Sequence, residues 1–290
     1  MPNILVTGSN GQLGNDLRII SNQYPDYNFI FTDVEELNIT DYQLLDKFFS
    51  ENKIDFVINC AAYTAVDKAE QDEVMARFIN VNAVKYLSQI CKKHNIFLIH
   101  ISTDYVFDGH SYKPYIESDS INPVSMYGKT KADGEQEVIH HAGNAIIIRT
   151  SWLYSSFGNN FVKTILKYGK ERGKLNVVFD QIGTPTYAAD LAKAILDIIP
   201  KLNKTNALAV YHYSNEGVAS WYDFAKEIIE LSDIDCTINA IETKDYPLPA
   251  TRPQYSILNK TKIKQEFNVT IPYWKDSLKR CLKLINEQNR

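Results

Sequence analysis

Ile4-Leu5-Val6-Thr7-Gly8-Ser9-Asn10-Gly11-Gln12-Leu13-Gly14 runs from four residues of strand character straight into a glycine turn. Gly8, Gly11 and Gly14 are spaced G-x-x-G-x-x-G rather than G-x-G-x-x-G. Glycines let a backbone turn sharply and approach a pyrophosphate, which then rests on the N-terminus of the following helix. A glycine pattern by itself means little. Here it has the strand before it and an amphipathic stretch, Gly11–Gln23, after it, which is the context a dinucleotide site requires.

Moving outward, short apolar runs alternate with amphipathic stretches across the first half of the chain. The spacing predicts strands at Ile4–Thr7, Phe29–Thr32, Phe56–Asn59, Phe97–Ile101 and Ala145–Arg149. Helices are predicted at Gly11–Gln23, Tyr42–Asn52, Asp72–His94 and Tyr127–His140, the third with Val74, Phe78, Val81, Leu87 and Cys91 as its apolar stripe. Buried parallel strands read as continuous apolar runs, so the expected fold is α/β, a Rossmann-type doubly wound parallel sheet. Past Trp152 the regularity weakens, and a smaller C-terminal substrate-binding lobe is expected. The boundaries are 1–150 for the dinucleotide-binding domain, with a return to it at about 184–215, and 151–183 plus 216–290 for the lobe. Leu208–Ser214 could add a strand, Ser220 caps a helix over Trp221–Leu231, and the prolines of Tyr246–Pro253 demand an extended loop.

The composition narrows the function classes. A formal net charge of -4 gives no electrostatic case for nucleic acid or an anionic membrane. Cys60, Cys91, Cys236 and Cys281 are scattered without a C-x-x-C pair, and the six histidines lack zinc-ligand spacing. No metal site is therefore expected, Cys60 and Cys91 read as buried thiols, and a reducing cytoplasm fits. Met1-Pro2-Asn3 enters a strand at once, leaving no room for a signal peptide, and no apolar run is long enough to span a bilayer.

The residues that carry chemistry fall where a doubly wound sheet would gather them. Asp33 ends the second strand, where a carboxylate can accept hydrogen bonds from ribose hydroxyls and repels a 2′-phosphate. Asn38 and Ile39 could flank an adenine. Asn59-Cys-Ala-Ala-Tyr-Thr64 follows the third strand, its small residues permitting close backbone approach. Ser102-Thr-Asp-Tyr-Val-Phe-Asp-Gly109 follows the fourth, and Thr103 could hydrogen-bond a substrate carbonyl. Tyr127-Gly-Lys-Thr-Lys131 sets a phenol and an ammonium on one helix face. A neighbouring cation favours the phenolate, so Tyr127 is expected to have a lowered pKa. Hydride transfer to or from a carbonyl, with Tyr127 moving the proton, is the chemistry this set suggests.

These motifs resemble the extended short-chain dehydrogenase/reductases along essentially the whole chain: Thr7-Gly8-x-x-Gly11-x-x-Gly14, Asn80-Val81 and Tyr127-x-x-x-Lys131. Longer strings resemble one branch, the dTDP-4-dehydrorhamnose reductases. They are Ala61-Ala-Tyr-Thr-Ala-Val-Asp-Lys-Ala-Glu70, Ser102 to Gly109, Arg149-Thr-Ser-Trp152, Gly158-Asn-Asn-Phe161 and Asp180-Gln-x-Gly-x-Pro-Thr186. The resemblance implies an NADH- or NADPH-dependent reduction of a nucleotide 4-keto-6-deoxy sugar. It implies that Gly11, Gln12 and Leu13 contact the pyrophosphate, and that Ala62, Tyr63 and Thr64 line the cofactor. Lys131 would bond the nicotinamide ribose and polarise Tyr127. Thr103, Asp104, Trp152, Asn160, Phe161, Gln181 and Arg252 would meet the substrate, with Arg252 suited to its diphosphate. Tyr105 stands where dehydratase relatives carry Glu, which argues for simple reduction. Two departures bear on the details: Ala189 replaces an acid that holds magnesium in some dimeric members, and Tyr255 replaces a common Asn. A monomer or a homodimer is compatible with this. Two alternatives remain open at this point: a non-catalytic, cofactor-binding regulatory subunit of a methionine adenosyltransferase, and a reductase or epimerase of another nucleotide 4-keto sugar.

Overall fold

Because Ile4, Leu5 and Val6 are all apolar and their side chains alternate in direction, the first strand needs cover on both faces, and the structure supplies it. The computed structural model describes residues 1–202 and 208–288. The first half runs β1 (Asn3–Thr7), α1 (Gln12–Ile20), β2 (Asn28–Thr32), α2 (Tyr42–Glu51), β3 (Phe56–Asn59), α3 (Val66–Ala69), α4 (Glu73–Arg77), α5 (Val84–Lys93), β4 (Phe97–Thr103), α6 (Met126–His141) and β5 (Asn144–Thr150). The second half runs β6 (Leu153–Tyr154), α7 (Phe161–Arg172), β7 (Lys174–Val178), β8 (Ile182–Gly183), β9 (Thr186–Tyr187), α8 (Ala188–Ile198), β10 (Ala209–His212), β11 (Ala219–Ser220), α9 (Trp221–Leu231), β12 (Thr237–Ile241), α10 (Thr261–Phe267) and α11 (Trp274–Gln288).

Six strands form the main sheet in the order β2-β1-β3-β4-β5-β10, every neighbouring pair parallel. The expected doubly wound α/β fold is present, and the stretch at Leu208–Ser214 supplies its sixth strand. The direction of winding reverses between β1 and β3. Ligands of such sheets bind at that reversal, outside the carboxyl ends of the strands. One face is covered by Leu17 of α1, Leu191 and Ile195 of α8 and Ile263 of α10, packed on Ile4, Val6, Ile58 and Ile148. The other carries Leu45 of α2, Leu87 and Cys91 of α5 and Val138 of α6 on Leu5, Val57, Leu98 and Ile147.

A second core lies beside the sheet, where α7, α9, α11 and the parallel β7–β12 pair enclose Ile165, Phe224, Ile228, Trp274 and Leu278. Its helices start where their sequence says they should. Asn160 accepts from Lys163 N at 3.1 Å, and Ser220 with Asp223 forms a reciprocal capping box at α9. Ile263, Phe267 and Ile271, inside the stretch expected to belong to the lobe, pack instead into the core under the main sheet.

The long helix expected over Asp72–His94 is interrupted. A π-helical segment, Phe78–Ala83, separates α4 from α5. Each π turn adds a residue and rotates everything before it, so one stripe cannot serve both halves. Leu87 and Cys91 are buried as expected, whereas Val74 is 83% and Phe78 39% exposed. Cys91 is a buried thiol, but Cys60 is only half-buried and faces the cleft described next.

Candidate active site

The sheet reversal opens into a cleft of about 810 Å³. Gly8, Gly11, Gln12, Leu13, Gly14, Asp33, Asn38, Ile39, Ala62, Thr64, Thr103, Asp104, Tyr127, Lys131, Trp152 and Asn160 all line it. The three glycines have separate jobs. Gly8 has φ +64°, and a Cβ there would come within 2.6 Å of Ala61 N. At Gly14 a Cβ would lie 2.5 Å from Ser9 Cα, so α1 could not seat against the turn. Gly11 is the N-cap of α1 and brings no capping side chain, so the N-cap does not compete for the first-turn N–H groups. A turn pressed tightly on its helix, with that helix end open to the cleft, fits a pyrophosphate.

Asp33 accepts from Asn10 N and Val34 N, both at 2.8 Å, so its carboxylate is fixed at the end of β2. Asn38 accepts from Thr40 N and closes the turn that presents Ile39. Tyr63 does not line the cleft. Its backbone N–H donates to Asn80 Oδ1 at 2.9 Å and its carbonyl accepts from Asn80 Nδ2 at 3.1 Å. The buried Asn80 thereby holds the strand-end segment that carries Ala62 and Thr64.

Ser125 starts α6 by accepting from Gly128 N at 3.1 Å, which aims the first turn at the cleft. Tyr127 shares a hydrogen bond with the Thr103 hydroxyl and packs edge-on against Tyr105 at 5.6 Å. Lys131 is 2% exposed, and its ammonium donates to Ile101 O at 2.7 Å. Burial lowers Lys131 to about 8, with Glu135 and Cys60 opposing. Against the expectation of a lowered phenol, burial pushes Tyr127 up to about 12, the Thr103 hydrogen bond working against it and the Asp104 charge with it. The ammonium is engaged with the β4 carbonyl, so desolvation dominates at Tyr127. The phenol thus holds its proton at neutral pH, as an acid must.

Asp104 is 1% exposed, receives a 3.0 Å hydrogen bond from Thr103, and is pushed up to about 7 by burial, hydrogen bonds from Ser256 and Thr103 opposing. Trp152 adopts a left-handed backbone at φ +47° and stacks on Trp221 at 3.6 Å, both rings facing the cleft. A Cβ on Gly183 would meet that indole at 2.6 Å. Asn160 donates to Gln12 Oε1 at 3.0 Å, tying the lobe to the glycine turn.

Three expected substrate residues do not line the cleft. Phe161 packs on Trp221 and Phe224 in the lobe core. Gln181 is buried and donates to Thr243 at 3.0 Å. Arg252 forms a bidentate pair with Asp67 at 2.7 and 3.0 Å. Conversely, Trp221, which in the sequence marks only the start of an amphipathic helix, lines the cleft. The signal for it is an aromatic at the first helical position, beside the mouth that a cap exposes. Asp16, at another acidic position of the family, accepts from Ser155 at 2.6 Å, and Asp190, next to Ala189, is taken by Asn215, Ser277 and Arg280. No cluster of three or more His, Cys, Asp or Glu placed to hold a metal occurs among the described residues.

Known proteins match this arrangement throughout. The family model described as RmlD substrate binding domain matches residues 2–287. A dTDP-4-dehydrorhamnose reductase of Aggregatibacter actinomycetemcomitans is 41% identical over 288 residues, covering 96% of this chain and 98% of that protein. The crystal structure of a dTDP-4-dehydrorhamnose reductase from Clostridium acetobutylicum superposes with TM-score 0.93 at 42% identity, covering 98% of this chain and 99% of that one. That of a Bacillus anthracis dTDP-4-dehydrorhamnose reductase in complex with NADP gives TM-score 0.93 at 36% identity, over 98% and 100% of the two chains. With agreement from the glycine turn to the last helix, this chain belongs to the RmlD substrate binding domain family.

Proposed function

We propose that this chain is a dTDP-4-dehydrorhamnose reductase, which reduces the C4 ketone of dTDP-4-dehydro-β-L-rhamnose to dTDP-L-rhamnose with NADH or NADPH. The observation that carries the reading is the convergence of Tyr127, Thr103 and Lys131 on a cleft walled by the uncapped start of α1. Relatives matched over nearly their full length and bearing that enzyme's name support it.

The bound nicotinamide supplies the hydride. Tyr127, held protonated by burial, gives its proton to the oxygen at sugar C4 as negative charge develops there. Thr103 shares that oxygen as a hydrogen-bond partner, and the buried surroundings make both interactions stronger than in water. Lys131 reaches the nicotinamide ribose and lends positive charge near the phenol. The α1 N-terminus takes the pyrophosphate, Asp33 the adenosine ribose, and Asn38 and Ile39 the adenine. Asp104 and Trp152 contact the sugar with Asn160 beside them, while Phe161, Gln181 and Arg252, set back from the cleft, act only through the neighbours they hold. The scattered cysteines support a cytoplasmic location, and the chain acts as a monomer or a homodimer.

The test is absorbance at the reduced-nicotinamide band with dTDP-4-dehydro-β-L-rhamnose made in place. Oxidation that requires both the protein and the sugar, yielding dTDP-L-rhamnose, is expected. Cofactor binding without oxidation of either NADH or NADPH would sink the assignment. Asp33 favours NADH, whereas the Bacillus anthracis relative was solved with NADP, so both belong in the assay.

A further inference from the structure

Beneath the cleft a buried polar line crosses three strands and ends on Lys131. Thr7 Oγ donates to Asn59 Oδ1 at 2.7 Å, and Asn59 Nδ2 lies 3.1 Å from His100 Nδ1. His100 Nε2 lies 3.5 Å from Lys131 Nζ. Asn59 and His100 are 1% and 0% exposed. The direction of the line is fixed at its Asn59 end. Ala61 N–H, which can only donate, also points at Asn59 Oδ1, at 3.2 Å. The Asn59 oxygen is thus the acceptor for two donors, and its NH₂ must face the imidazole. An amide NH₂ cannot accept, so His100 Nδ1 is bare and the ring proton sits on Nε2.

We propose that His100 is a positioning residue for Lys131, locked by Asn59 in the Nε2–H tautomer so that it turns an N–H toward the lysine amine. A donor facing an ammonium is repulsive, whereas the Ile101 carbonyl attracts it. The two together keep Lys131 from settling irreversibly against β4 and leave it ready to swing to a ribose. Burial lowers both groups, and Lys131 also feels Glu135 on its own helix and Cys60 beyond β3. The link to catalysis rests on the reductase reading; the tautomer does not.

Histidine ¹⁵N NMR on the whole protein tests the tautomer without substrate, the His100 signals being those missing from His100→Asn. A bare Nδ1 and a protonated Nε2, unchanged across the range where free imidazole titrates, are expected. A proton on Nδ1, or an imidazolium that titrates normally, overturns the proposal. In His100→Asn the amide oxygen replaces Nδ1 and the Nε2–H is gone. NADPH affinity, read from nicotinamide fluorescence, should fall as pH rises through the Lys131 titration, and the variant should move that fall upward by roughly one pH unit. An unmoved profile in a folded variant would overturn the positioning role. If the variant does not fold, the wild-type spectrum decides, with signals assigned by conventional triple resonance. Failure of the reductase reading is a separate event, seen as absent sugar-dependent oxidation.

Discussion

Two side chains of the cleft, Tyr127 and Asp104, are tuned by the same burial, with consequences that can be separated. Tyr127→Phe keeps the ring, its Tyr105 contact and the cofactor pocket, and removes only the proton. Turnover should fall by about 10²–10⁴, with the NADPH dissociation constant nearly unchanged. Full activity in this variant would exclude Tyr127 as the acid. Asp104 gives a stability prediction. Its carboxyl is raised from 3.8 to about 7, so the folded chain holds a proton that the unfolded chain has lost between those values. Its contribution is therefore favourable in acid and disappears as pH rises through about 7, leaving a buried charge at pH 8. One carboxylate oxygen, Oδ2, has no hydrogen-bond partner among the described residues. Asp104→Asn should raise stability at about pH 8 by roughly 1–3 kcal/mol, the gain fading toward about pH 4, as read from thermal melts at both. The proposed sugar contact would be weakened in exchange. At this scale the sequence was informative about residue type and poor about electrostatics. Spacing placed Tyr127 and Lys131 on one face correctly, yet it could not see that the ammonium would be taken by Ile101 O.

Between residues and the whole chain, α6 is the element on which the site depends. Its first turn passes so close to the loop after β4 that a Cβ on Gly128 would lie 2.2 Å from Tyr105 O. Six residues further along the same helix, a Cβ on Gly134 would lie 2.2 Å from Asn80 O in the π-helical segment. Both contacts are with backbone, which cannot swing aside as a side chain can. Gly128→Ala should displace the start of α6, lowering stability by about 1–3 kcal/mol and kcat by more than that loss alone explains, since Tyr127 moves with the helix. A melt shifted by several degrees with unchanged kcat would show that α6 can retreat without disturbing the phenol. The π segment also explains the misread stripe. The 3.6-residue period holds for α5, where Leu87 and Cys91 are buried, and fails before Phe78 because the extra residue rotates α4 outward. Nothing in Phe78-Ile-Asn-Val-Asn-Ala83 announces that insertion; within it Asn80 reaches back to Tyr63 and across to Thr130 at 3.0 Å, long-range contacts that local periodicity does not show. Strands were easier to read, because a buried parallel strand must be apolar on both faces whatever its neighbours.

At the scale of the molecule, local sequence says which segments are ordered but not which distant ones meet. Thus α10, predicted in the lobe, packs beneath β10, and the sequence that suits Arg252 to a diphosphate does not show its pairing with Asp67. The Asp67–Arg252 pair spans 185 residues and fastens the proline-rich loop to the domain that carries the glycine turn. Ala250 N also donates to Asp67 at 3.2 Å, so one carboxylate holds the loop at two points. Val66 and Tyr105, next to this clamp, line the cleft. The pair is partly exposed, Arg252 at 17% and Asp67 at 37%, so its value for global stability is small and its value for loop position larger. If the clamp is what Arg252 contributes, Asp67→Asn and Arg252→Ala should each raise the KM for the sugar nucleotide by about tenfold, with kcat changed little, since uniform binding is what is lost. The double variant should then be no worse than either single, because both break one contact. Arg252 acting on the diphosphate instead would make its single variant much the more severe of the two, and the double variant worse again. Steady-state kinetics on the four proteins therefore separate a residue that shapes the cleft from one that touches what enters it.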